Sequence, residues 1–142
     1  MSIEWLHGTG VVFAGQGVLL LGPSGSGKSA LALALIERGA VLISDDRIGL
    51  GGTPPHMIAH PQSAGRIEAR GLGLFHTASK SSAPLSLVVD LGTRPAQRLP
   101  KSNIVWRDDL PVPLWHGKDV PSLATVIWLT LNGRLRGIAV QE

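Results

Sequence analysis

Residues 22–29 read Gly22-Pro23-Ser24-Gly25-Ser26-Gly27-Lys28-Ser29. They fit G-x-x-x-x-G-K-[ST], the pattern of a phosphate-cradling loop, or P-loop. Glycines let the backbone curl so that successive N–H groups point into one concavity, where an anion can sit. A lysine at Lys28 can reach the outer phosphates of a nucleotide, and a hydroxyl at Ser29 can join the shell of a Mg²⁺ ion. A second chemical group follows at Asp45-Asp46. Of two adjacent carboxylates near a phosphate loop, one can hold a metal, directly or through water, and the other can accept a proton from a hydroxyl nucleophile.

These groups need elements to position them. Gly17 and the apolar run Val18 to Leu21 read as a buried strand leading into the loop. After the loop, residues 30–36 read as a helix packed on most sides and stopped at Gly39. Residues 40–44 then form a short apolar strand ending at the aspartates. Strand, phosphate loop, helix, strand and acidic pair is the order expected of a phosphoryl-transfer core, with the second strand's C-terminal end beside the loop. Side chains alternate along a strand, so both aspartates can face inward only if the strand ends at or before Asp45. Upstream, residues 10–14 read as a strand and residues 15–17 as a tight turn, so the two strands pair antiparallel and carry His7 toward the same region.

Downstream signals are weaker. Glycines and prolines between residues 48 and 65 mark turns and short strands, with His56 and His60 flanked by prolines on a surface loop rather than forming a helical metal pair. Residues 66–70 alternate Arg66, Glu68 and Arg70 with Ile67 and Ala69. That is a strand with one charged face, able to turn its acid and arginines toward phosphates. Residues 77–83 are polar and read as an active-site or partner loop. Residues 85–91 form a strand and residues 104–106 a shorter one. Prolines confine residues 110–115 to a sheet edge. Ser122 is placed to cap a helix running through Leu131 and ending at Asn132-Gly133.

The chain has 142 residues, 44% of them apolar and only 16% charged, with a formal charge of +3 and no cysteine. That implies one domain spanning residues 1–142 with a real core, and it excludes a disulfide framework and thiolate metal sites. The charge suits a nucleotide or an acidic partner. Lysines and arginines are scattered and aromatics make up 4%, which argues against nucleic acid. No apolar run approaches a bilayer span and the N-terminus has no signal core, so a cytoplasmic protein without membrane contact is expected.

The motifs together resemble the catalytic core of the bacterial HPr kinase/phosphorylases. The likeness is carried by His7-Gly8, by residues 17–29, by Leu42-Ile43-Ser44-Asp45-Asp46, and by a second signature at Ile67-Glu68-Ala69-Arg70-Gly71-Leu72-Gly73. The resemblance implies an α/β fold: a P-loop kinase core of the phosphoenolpyruvate-carboxykinase-like type, with a mixed sheet and few helices. It implies ATP and Mg²⁺ as cofactors and transfer of the γ-phosphoryl group to a serine of HPr, a carrier of the phosphotransferase system. Phosphorolysis, in which phosphate removes the group as pyrophosphate, is the family's reverse direction. Carried over by position, Asp46 is the proton acceptor in phosphorylation and the donor in reversal, with Asp45 beside it. His7 and Lys28 are active-site residues, Ser29 and Glu68 ligate Mg²⁺, and Arg98 in Gln97-Arg98-Leu99 matches a further active-site arginine.

The chain also departs from the family pattern. The resemblance starts at the catalytic core, and the expectation it carries is a short form without the family's N-terminal domain, similar to those of proteobacteria with a nitrogen-related phosphotransferase system. Ala30 stands where the family often has an acid. Pro113-Leu114-Trp115-His116-Gly117-Lys118 occupies the place of an arginine-rich stretch tied to dephosphorylation. The family's hexameric assembly implies a homo-oligomer. A small-molecule kinase on the same core and a non-catalytic nucleotide sensor are the alternatives that the motifs leave open.

Overall fold

The computed structural model describes residues 2–100 and 104–138. Ten strands and two helices follow in order: β1 (Glu4–Phe13), β2 (Gln16–Leu21), α1 (Lys28–Glu37), β3 (Val41–Ser44), β4 (Arg47–Gly51), β5 (His56–Ala59), β6 (Arg66–Ala69), β7 (Gly73–His76), β8 (Ser82–Asp90), β9 (Val105–Arg107), β10 (Leu110–His116) and α2 (Leu123–Leu131). Eight strands make one mixed sheet, and β6 and β7 form a separate hairpin. Among the described residues, no helix is long and apolar enough to cross a membrane.

The long strand β1 organises the sheet. Its C-terminal half pairs antiparallel with β2 along one edge and with β3 along the other, while its N-terminal half pairs with β4. Strands β2 and β3 therefore run parallel to each other on either side of β1, joined through α1. Strand β8 runs parallel to β2 and antiparallel to β5, so the pairings close a circuit β2–β1–β4–β5–β8–β2. The circuit encloses a core that includes Val12, Leu19, Ile43, Ile48, Met57 and Val88. On the other face, α1 and α2 cover Val11, Val18, Leu20, Leu42 and Val89. The alternation of Val11 and Val12 between these two clusters is the period-2 rule at work.

Several expectations shift. The first strand is longer than residues 10–14 and its turn falls at Ala14-Gly15, both with positive φ (50° and 77°). A two-residue turn of that kind matches the twist of the strands it joins. Gln16 enters β2 and its side chain donates to the Leu131 carbonyl at 2.8 Å. Helix α1 starts at Lys28 and is less enclosed than its composition suggested: Lys28, Ala32 and Leu35 are buried, whereas Ala30 and Leu33 are exposed. His56 starts a strand instead of lying on a loop.

Strand β10 is interior, lying between β8 and β9. Its prolines are tolerated because β8 pairs only with Leu114 to His116, while β9 takes the Leu110 to Pro113 end. Ser122 does occupy the N-cap position of α2, but its φ of 58° leaves the side chain without a capping hydrogen bond. Arg107 on β9 forks onto the Glu4 carboxylate on β1 at 2.7 and 3.0 Å. This holds the glutamate below its ordinary pKa and raises that of the arginine.

Candidate active site

The loop between β2 and α1 turns through positive φ at Gly25 (82°) and Gly27 (99°), which L side chains rarely adopt. Lys28 is buried, and its Nζ donates to the carbonyls of Gly22 (2.7 Å) and Pro23 (3.1 Å), bracing the loop from inside. The Ser26 hydroxyl is buried with no partner among the described residues. It lies against Gly22, where an added Cβ would come within 2.6 Å of it.

The strand β3 ends at Ser44, one residue before the acidic pair, so the alternation rule no longer separates the two carboxylates. Asp45 is buried and collects donors. Its carboxylate accepts from Thr9 Oγ1 at 2.8 Å, from the Ser29 hydroxyl at 2.9 and 3.0 Å, and from the Glu68 N–H at 3.0 Å. Asp46 bends away with φ 69°, a left-handed conformation that Asp tolerates better than most residues. Its N–H donates to Thr9 Oγ1 at 3.2 Å and its carbonyl accepts from the Gly8 N–H at 3.1 Å. The Asp46 carboxylate stays largely exposed and stands 3.2 Å from His7 Nδ1.

One cavity of about 590 Å³ gathers these parts. It is lined by the loop residues Ser24, Gly25, Gly27, Lys28 and Ser29, by Asp45 and Asp46, and by Glu68, Ala69 and Arg70, with Ala30 and Leu33 of α1 at its wall. The β6–β7 hairpin supplies Glu68 and Arg70, and the Arg70 guanidinium lies over Gly25, 3.6 Å from where a Cβ would be. Hard oxygen donors from Ser29, Asp45 and Glu68 suit Mg²⁺. Among the described residues, no three His, Cys, Asp or Glu side chains cluster as a metal cage.

Of the sequence-read site residues, Ser24, Gly25, Gly27, Lys28, Ser29, Asp45, Asp46 and Glu68 line this cavity, Gly22, Pro23 and Ser26 of the loop do not, and His7 borders it through Asp46. Arg98 does not join them: it is exposed on the segment after β8 and is not among the lining residues. Residues 77–83 do not line it either. That segment bridges Ser79 to Leu42 of β3, and the Lys80 N–H donates to the Leu42 carbonyl at 2.9 Å. Sequence reasoning missed Thr9, which joins both aspartates. The signal was present, since Thr9 lies two residues beyond His7 and so on the same strand face.

A family model described as the HPr Serine kinase C-terminal domain matches residues 2–97. The chain belongs to that family. Among its relatives, the HPr kinase/phosphorylase of Burkholderia lata is 40% identical over 108 residues, covering 67% of this chain and 34% of the relative. That of Bordetella avium is 40% identical over 123 residues, covering 77% of this chain and 40% of the relative. The chain thus spans well under half the length of these curated relatives. Among solved structures, the Hpr(Ser) kinase/phosphatase from Coxiella burnetii superposes with a TM-score of 0.70 at 25% identity, covering 91% of this chain and 93% of that one. The mixed α/β sheet with two helices is therefore a fold that this family uses.

Proposed function

We propose that this chain is an ATP- and Mg²⁺-dependent serine kinase whose acceptor is an HPr-like phosphocarrier protein of the phosphotransferase system. The observation that carries this reading is the shared cavity, in which the Gly25–Ser29 part of the phosphate loop faces Asp46 while Asp45 is hydrogen-bonded to Ser29. The names of the family and of its relatives support the choice of acceptor.

In this reading the loop N–H groups and Lys28 bind the β- and γ-phosphates and spread the charge that develops during transfer. A bound Mg²⁺, held by Ser29 and Asp45 with Glu68, would neutralise phosphate charge. Asp46 orients the acceptor hydroxyl and takes its proton as the serine oxygen bonds to the γ-phosphorus and the bond to the β-phosphate oxygen breaks, releasing ADP. His7 holds the Asp46 carboxylate in place. In the phosphorolytic direction, an oxygen of inorganic phosphate bonds to the phosphoserine phosphorus, the bond from that phosphorus to the serine oxygen breaks as Asp46 gives that oxygen a proton, and the two joined phosphates depart as pyrophosphate.

The antiparallel β1–β2 hairpin leading into the loop supports the phosphoenolpyruvate-carboxykinase-like type of P-loop core. We also assign residues 1–142 to one catalytic domain acting in the cytoplasm as a homo-oligomer, the family's hexamer being the expected form. A small-molecule kinase would need a basic lid over its substrate, and residues 77–83 are tied to β3 instead. The test is to mix the protein with HPr, ATP and Mg²⁺ and read the product by mass, then add phosphate. The reading expects HPr one phosphoryl group heavier, and loss of that group on adding phosphate would show that the phosphorolytic direction is retained. Unmodified HPr beside full ATP binding would favour the nucleotide sensor.

A further inference from the structure

A second hollow opens beyond the His7–Asp46 pair. It is a cleft of about 380 Å³ lined by Trp5, Leu6, His7, Arg47 and His60. Strand alternation builds it, because Trp5, His7, Thr9 and Val11 share one face of β1. Val11 lies in the cluster with Ala32 and Leu35 of α1. Thr9 touches Asp45 and His7 touches Asp46. Past the helix that face is uncovered, so Trp5 continues the same line outward, one step beyond the carboxylate that faces the phosphate loop.

The cleft is built rather than incidental. Trp5 pairs in register with Gly49 of β4, and a Cβ on Gly49 would lie 2.9 Å from the indole. The missing side chain seats the ring. His60 meets that ring edge-on, with centroids 5.0 Å apart, and its Nδ1 accepts from the Gln62 N–H at 3.1 Å, so Nε2 carries the proton. The indole is thus fixed, yet 49% exposed. Arg47, exposed and adjacent to Asp46, is the register partner of His7. Tryptophan and arginine, both in the lining of this cleft, are among the residue types enriched at protein-binding hot spots. Of the residues lining the cleft, Arg47 carries the charge, a guanidinium able to pair with a carboxylate.

We propose that this cleft is the acceptor-side subsite. It holds the segment of the phosphocarrier that flanks the reacting serine, with an apolar side chain laid on Trp5 and a carboxylate against Arg47. The inference rests on the kinase reading above. In that reading the transferred group lies between the phosphate loop and Asp46. A nucleotide base cannot reach Trp5 without crossing the place of transfer, whereas a serine approaching Asp46 brings its neighbours there.

The test compares Trp5→Ala, Arg47→Glu and the conservative Trp5→Phe with the unmodified protein. The readouts are KM for HPr, ATP affinity by calorimetry and acceptor-free ATP hydrolysis. The expected result is a KM for HPr raised about 10-fold or more in the first two variants. Trp5→Phe should stay within about 3-fold, and ATP affinity and hydrolysis should be unchanged. Arg47→Glu should recover with an HPr variant in which an acidic residue near the serine is changed to lysine. Unchanged KM values in folded variants overturn the subsite while leaving the kinase reading intact. Weakened ATP affinity with unchanged KM for HPr assigns the cleft to the nucleotide and also overturns it. If the unmodified protein transfers nothing to HPr, the kinase reading falls and the subsite falls with it.

Discussion

Replacing Thr9 by valine tests how the two carboxylates are held. Thr9 is fully buried, donates to Asp45 at 2.8 Å and accepts from the Asp46 N–H at 3.2 Å. Valine matches its shape and removes only the hydroxyl. Losing a hydrogen bond to a buried carboxylate costs about 1.5–3 kcal/mol, and losing the acceptor of a backbone N–H a further ~0.5–1.5 kcal/mol. Asp46 also sits at φ 69°, a conformation roughly 1 kcal/mol above the ordinary helical one, so fewer ties let it relax. The expected loss of stability is about 2–4 kcal/mol by urea unfolding. Thr9→Ser, which keeps the hydroxyl and drops one methyl, should lose only about 1 kcal/mol.

Activity should separate in the same way. Thr9 hydrogen-bonds to the two aspartates and to none of residues 22–29, so nucleotide affinity measured without Mg²⁺ should hold in Thr9→Val. A displacement of Asp46 by ~1 Å would slow transfer by about 100-fold. The reasoning is refuted if Thr9→Val unfolds within about 0.5 kcal/mol of the unmodified protein, or if Thr9→Ser is as damaged as the valine variant.

Asp46→Asn should keep ATP affinity and lose phosphoryl transfer by about 100-fold to 10,000-fold, because an amide cannot take the proton; transfer at the normal rate would remove Asp46 from that role. Gly17→Ala drives a methyl into the Pro84 carbonyl and the Met57 side chain where β2 approaches β8, and should cost about 1–3 kcal/mol in a thermal or urea melt. Glu4→Gln should cost at most about 1 kcal/mol, since the pair with Arg107 is half exposed. Because the pair lowers the Glu4 pKa, its contribution is complete above the ordinary glutamate value and is lost as the pH falls through the lowered folded one. The unmodified protein and the variant should therefore converge in acid, and an unchanged gap there would count against the pair.

The chemical groups were legible because their signals are local. Gly25 and Gly27 mark positive φ, Lys28-Ser29 follow at fixed spacing, and the apolar strands on either side announce themselves by composition. Asp45-Asp46 at a strand end and the alternation of Arg66 to Ala69 are equally local. Where pairing partners decide the outcome, the reading slipped. The prolines of β10 suggested an edge, yet the strand is interior because its neighbours engage opposite ends. The polar residues 77–83 suggested an active-site or partner loop; they do not line the cavity, and Ser79 and Lys80 bond to β3 instead.

By itself, the sequence determined the strand–loop–helix–strand core and the residues proposed to bind phosphate, hold a metal and take a proton, because backbone conformation and short spacing are written residue by residue. Only the tertiary structure decided that Thr9 ties the two aspartates together, that Arg98 stands apart from them, and that Trp5 is seated on Gly49 beyond Asp46. Those relations join strands whose positions depend on sheet register and on what α1 leaves uncovered, and neither is fixed by any stretch of chain short enough to read alone.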